Sequence, residues 1–303
     1  MRTRSVLKAS LGAWLLWRLF GPESAPRFHG VQKRPGGPAG RTIVAGRSEF
    51  LVREAGPPDG PPIVLLHGWL YDGFLTWHRV VPALAERHRV IILDLRNHGK
   101  TDRIRGRFEI ADLADDVARA FDILGIGGLP VVGFSMGGMA AQVLAVRYPG
   151  RASHLVLGGT AAHPVDRPRA VMVPLFWLGR ALARIDRFLL PRIAHTYLMR
   201  TGVFPQENAA WLWQNMLDRD NDLYYEGGFA ILRFDARDRV GDIGVPTLCI
   251  IPTDDQLIEP HLQYETAALI PSASVVELVG ARHEAVLTHG DEIAKAILGF
   301  IER

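Results

Sequence analysis

Residues 133–138 read GFSMGG, three glycines around Ser135, set between an apolar run at 129–132 and a helix-like run at 139–148. A serine in a tight strand-to-helix turn is held in a strained backbone conformation, and glycines on either side let neighbouring backbone pass without clashing Cβ atoms. The hydroxyl is thereby presented outward. The amide of Met136 opens the following helix, so its N–H and the helix dipole face any negative charge that develops beside Ser135. Gly138, Ala140 and Ala141 let that helix approach a sheet closely.

A serine hydroxyl becomes a nucleophile only when a base takes its proton and a carboxylate holds the base. Two late loops offer these groups. GARHE (280–284) follows SVVELV and places His283 just beyond a strand end, while PTDDQLIEP (252–260) follows TLCII and offers Asp254 and Asp255. Ser, Asp, His is the order expected when ends of strands at one sheet edge supply all three.

Outward from the serine, short apolar runs alternate with helical patterns, which predicts an α/β fold with a mostly parallel sheet covered by helices. TIVA (42–45) and EFLVRE (49–54) read as an antiparallel hairpin around Gly46. IVLLH (63–67), VIILD (90–94), PVVGF (130–134), HLVLGG (154–159), TLCII (247–251) and SVVELV (274–279) read as buried strands. Residues 76–86, 110–124, 137–148, 261–269 and 290–301 read as helices. Residues 160–240 break the alternation with helical pieces and many aromatics, and predict a helical lid inserted between two sheet strands. The chain thus divides into an N-terminal segment and linker (1–41), a first core part (42–159), the insertion (160–240) and a second core part (241–303).

Of the 303 residues, the first 47 carry nine Lys/Arg against one acid, so a segment of charge +8 precedes a body of −5. A basic tail on an acidic body argues against a nucleic-acid surface on the folded part. SLGAWLLWRLF (10–20) is shorter than the about 20 apolar residues of a spanning helix and is interrupted by Arg18. Its tryptophans beside Lys8 and Arg18 fit either a helix in a membrane interface, a contact made through residues 1–30, or a helix docked on the protein itself. The expected location is the cytoplasm or a membrane surface, with secretion left open. The single cysteine, Cys249, lies in an apolar strand and reads as core.

With these motifs in order, the chain resembles the α/β-hydrolase superfamily, in its serine esterase-like branch with a lid between the sixth and seventh strands. The resemblance runs from about residue 42 onward and implies an eight-stranded α/β-hydrolase sheet. LLHGW (65–69) matches the His-Gly element after the third strand, which implies that the Trp69 amide joins that of Met136 in an oxyanion hole, supported by His67 and Gly68. DLRNHGKTD (94–102) matches the loop written D-x-R-G-x-G-x-S, with Asn97 and Thr101 departing from the commonest residues. The same resemblance favours Asp255 over Asp254 as the acid. His98 and His289 read as structural, the latter at the start of the last helix.

Neither a metal-ligand spacing nor a phosphate loop occurs, so no cofactor is expected. The reaction implied is acyl transfer to water by Ser135, His283 and Asp255, on a small-molecule ester with an apolar or lipid-like acyl group. Relatives with the same three residues also cleave carbon–carbon bonds or form peracids, and a silent binding protein is the non-enzymatic alternative.

Overall fold

The computed structural model describes residues 26–45, 48–69, 71–167 and 169–302. The N-terminal apolar segment (10–20) and the membrane contact expected of it therefore lie outside the described residues. Eight strands form one sheet: β1 (Gly40–Ala45), β2 (Ser48–Ala55), β3 (Pro62–Leu66), β4 (Arg89–Leu93), β5 (Leu129–Phe134), β6 (Ala152–Gly158), β7 (Thr247–Pro252) and β8 (Ala273–Leu278). Their order is β1-β2-β4-β3-β5-β6-β7-β8, with β2 antiparallel to β1 and β4 and every other pair parallel. The hairpin and the parallel sheet expected from the sequence are both present.

The apolar runs are explained by burial on both faces. Ile63, Val64, Leu65 and Leu66 of β3 are all fully buried. Side chains alternate across a strand, so Val64, Leu66, Ile91 and Val131 pack in a core with α3 (Ile110–Leu124) and α4 (Met136–Arg147). Val132, Val156 and Ile250 turn to the other face, where they line a small cavity with Trp77, Val286 and Ile293. α3 starts on a reciprocal cap between Glu109 and Asp112 and stops at Gly125, whose φ of 63° suits a residue without Cβ. Cys249 is buried, and burial pushes its thiol up to about 12.

Two expectations are corrected. The helix expected over 76–86 is two short ones, α1 (Gly73–Trp77) and α2 (Val81–Leu84). Asp72 caps α1 earlier than expected, its Oδ1 accepting from the Leu75 amide at 2.7 Å. Pro82, which has no N–H to continue a helix, sits in the first turn of α2. The run SVVELV is not buried: residues 274–277 are exposed, because β8 ends the sheet and pairs only with β7. The last helices are α9 (Pro260–Leu269), α10 (Ala285–Thr288) and α11 (Gly290–Ile301); His289 stands at the N-cap position of α11, but its side chain makes no capping hydrogen bond.

Between β6 and β7 the chain forms α5 (Arg169–Ile185), α6 (Leu189–Arg200), α7 (Ala209–Leu217) and α8 (Asn221–Arg233). Two compact units result among the described residues, one of Gly36–Val173 with Leu223–Arg303, the other of Pro174–Asp222 with residues 26–35. The smaller unit is held by Phe188 stacked on Trp213, by the Arg192–Asp186 ion pair, and by residues 32–33 bonded to Ala210 and Asn208. Among the described residues, no helix is long and apolar enough to cross a membrane.

Candidate active site

Ser135 occupies the junction of β5 and α4 with φ 52° and ψ −119°, a backbone region that side chains disfavour. The junction is tight enough to explain its glycines. A Cβ on Gly133 would stand 2.5 Å from the Gly137 carbonyl oxygen, and one on Gly137 would stand 2.3 Å from that of Leu66. The strained residue is clamped on both sides: its N–H donates to the Gly158 oxygen at 2.9 Å, and its carbonyl accepts from Thr160 Oγ1 at 2.8 Å.

His283, in the loop after β8, reaches the serine. Its Nε2 lies 3.0 Å from Ser135 Oγ, and its Nδ1 lies 2.8 Å from Asp255 Oδ2. A carboxylate only accepts, so Nδ1 carries the proton and Nε2 is left with a lone pair facing the hydroxyl. Asp255 is buried and filled with donors. Its Oδ1 accepts from the Leu257 and Ile258 amides at 2.9 and 3.0 Å, and its Oδ2 accepts from Gln263 Nε2 at 3.0 Å as well as from His283. Asp254 is exposed and is not brought to the histidine. Of the two acids weighed from the sequence, Asp255 is the one in contact.

The loop after β3 backs onto the serine, since a Cβ on Gly68 would lie 3.2 Å from Ser135 Cβ. His67 is fully buried, and its Nε2 accepts from the Leu95 amide at 2.9 Å. Nδ1 therefore holds the proton and donates to the Gly68 oxygen at 2.7 Å. In a trans peptide that oxygen points opposite to the next N–H, so His67 fixes the plane that carries the Trp69 amide. The Trp69 side chain is anchored by its indole N–H to the Tyr224 carbonyl at 2.7 Å and by stacking on the Tyr224 ring at 4.3 Å. Met136 opens α4, where a backbone N–H has no acceptor inside the helix.

Beneath this loop, Asp94 is fully buried and bonded to Arg53 Nη1 at 2.9 Å. Its carboxyl is pushed up to about 6, first by burial and then by the nearby Asp72 carboxylate, against the pull of Arg53 and two backbone N–H groups. Sequence reasoning missed Gln263, Thr160, Arg53 and Tyr224 as supports of the site. Gln263 falls in a helix eight residues after the acid, and no motif singles it out.

A family model described as alpha/beta hydrolase fold matches residues 61–290. The chain belongs to the alpha/beta hydrolase family. An Azorhizobium caulinodans protein named for carbamate hydrolysis, RutD, is 28% identical to this hydrolase over 265 residues, 80% of this chain and 91% of its own. The bifunctional esterase/perhydrolase DCH of Acinetobacter calcoaceticus is 25% identical over 268 residues, 84% of this chain and 96% of its own. The crystal structure of an enol-lactonase from Burkholderia xenovorans LB400 is 27% identical and superposes with a TM-score of 0.74, covering 87% of this chain and all of the other. Its relatives being named for hydrolysis, this alpha/beta hydrolase is an enzyme.

Proposed function

We propose that this enzyme is a serine hydrolase that cleaves carboxylic esters with an apolar acyl group through an acyl-enzyme. The observation that carries the reading is the unbroken line from Ser135 Oγ through the His283 ring to the buried Asp255 carboxylate. His283 Nε2 takes the hydroxyl proton as Ser135 Oγ attacks the ester carbonyl. The Trp69 and Met136 amides hold the oxyanion that forms. The tetrahedral centre collapses, the ester C–O bond breaks, and His283 returns the proton to the leaving alcohol. Water, deprotonated by the same nitrogen, then attacks the acyl carbon; the acyl–Oγ bond breaks, the acid leaves, and His283 returns the proton to Ser135 Oγ. Asp255 steadies the imidazolium in both steps. Apolar acyl preference is supported by the Phe134 ring 5.3 Å from that of His283 and by the Trp69–Tyr224 stack.

The test combines a fluorophosphonate probe with a series of p-nitrophenyl esters of increasing acyl length. Labelling of the wild type and not of Ser135→Ala, with turnover rising from acetate to medium-chain esters, is the expected result. Folded wild type that takes no label overturns the nucleophile. Labelled protein that turns over acetate alone, or that cleaves carbon–carbon bonds of dienone acids and no ester, overturns the substrate class.

A further inference from the structure

α9 turns two polar side chains inward, Gln263 and Thr266, one turn apart on the face that also buries Leu262. Thr266 Oγ1 accepts from the Ala162 amide at 2.7 Å and donates to the Leu262 oxygen at 2.8 Å, so its hydroxyl is satisfied in both roles. Gln263 is not so balanced. Its Nε2 donates to Asp255 Oδ2 at 3.0 Å and to the Ile258 oxygen at 2.7 Å, while its Oε1 has no hydrogen-bond partner among the described residues. Two acceptors beside one end of the amide fix that end as the nitrogen. A buried acceptor left unbonded costs stability, so the side chain suits the carboxylate better than it suits the core.

The contact falls on the oxygen that His283 also uses. Asp255 Oδ1 is held by the Leu257 and Ile258 amides, but Oδ2 divides its lone pairs between His283 Nδ1 and Gln263 Nε2. Among the described residues, His283 is the one titratable side chain bonded to that carboxylate. Arg282 and Glu284 flank the histidine on its own loop, and from the β5–α4 junction it meets Ser135 and the Phe134 ring. A donor on Oδ2 spreads part of its charge and weakens its pull on an imidazolium proton. With that donor removed and Oδ1 still held by the backbone, the carboxylate stays in place and attracts the imidazolium more strongly.

We propose that Gln263 is a positioning residue that acts through Asp255. By sharing Oδ2 with His283 it limits how firmly the carboxylate holds the imidazolium, and so keeps His283 a free base, ready for the Ser135 proton, to lower pH than the other three side chains alone would. The inference rests on the proposed roles of Ser135, His283 and Asp255.

The rate at which a fluorophosphonate labels Ser135 of the full-length protein is measured against pH, a reading that depends on no particular ester. Gln263→Met fills the same space without a donor, and Gln263→Asn keeps an amide that stops a methylene short of Oδ2. In both, the acid limb of the profile should move up by about half to one pH unit, so that labelling on that limb slows by roughly 3- to 10-fold while the plateau stays within about threefold of wild type. Thr266→Val, on the same buried face, should lower the melting temperature and leave the limb in place. A limb that stays put or moves down in the folded Gln263 variants overturns the inference, as does one that moves as far in Thr266→Val. Wild type that takes no label removes the proposed nucleophile and this inference with it, whereas labelling with an unmoved limb removes the role of Gln263 alone.

Discussion

His98 Nε2 lies 2.8 Å from the Trp69 carbonyl oxygen, while its Nδ1 lies 2.8 Å from the carbonyl oxygen of Arg96. One ring thus ties the loop that offers the Trp69 amide to the loop after β4. Replacing His98 with alanine removes the tie without touching Ser135. A lost buried hydrogen bond of about 1–2 kcal/mol predicts a fall in kcat of roughly 5- to 30-fold. Steady-state kinetics on a soluble ester check this, with KM expected to move by less than kcat if the Trp69 amide holds the charged intermediate as proposed.

The acid assignment separates two neighbours by kinetics. Asp255→Asn leaves the packing in place but disturbs the ring tautomer, and a loss of about 10³- to 10⁴-fold in kcat is expected. Asp254→Asn changes an exposed side chain and should stay within about twofold of wild type. Equal losses in both variants would mean that the loop, and not one carboxylate, is what turnover requires.

Asp94 predicts a pH dependence of stability. Its carboxyl titrates at about 6 in the fold against an ordinary value of 3.8, so between these limits the folded chain holds a proton that the unfolded chain has released. The stabilisation from this group is complete below about pH 4 and is lost as pH rises through about 6. Asp94→Asn keeps the shape and cannot ionise. The stability of wild type relative to this variant should therefore decline by on the order of 2–3 kcal/mol from pH 4 to above pH 6, measured by urea unfolding.

Gly137→Ala tests the close approach behind the serine. Its new Cβ would meet the Leu66 and His67 carbonyl oxygens at 2.3 and 2.6 Å, atoms of the central strand and its following loop that have no room to retreat. A loss of roughly 2–4 kcal/mol is expected, read as a lowered midpoint in thermal or urea unfolding. Gly150→Ala, where no atom lies within 4 Å of the added Cβ, is the comparison. Its φ of 88° makes any loss there purely conformational.

Interior strands were legible because a parallel sheet covered on both faces needs unbroken Val, Ile and Leu, and residues 63–66 and 90–93 supply them. The positions of Ser135 and His283 were legible because the sequence marks a glycine-rich turn after one strand and a loop after the last. Edge position was not, since Val275 and Val276 read the same whether or not a ninth strand follows. The break between α1 and α2 was hidden because Pro82 suits the first turn of a new helix as well as a bend. Gln263 was invisible for a different reason: a glutamine on a helix is ordinarily solvated, and only tertiary packing turns it inward to the Asp255 carboxylate.

Ser135 holds its disfavoured φ because Gly158 and Thr160 grip the peptide groups around it. Glycine would rest in that conformation at a saving of about 1–3 kcal/mol. With Ser135 as the proposed nucleophile, heat-tolerance screening alone would therefore enrich inert chains at this position, and improvement of this catalyst by directed evolution has to make survival contingent on turnover.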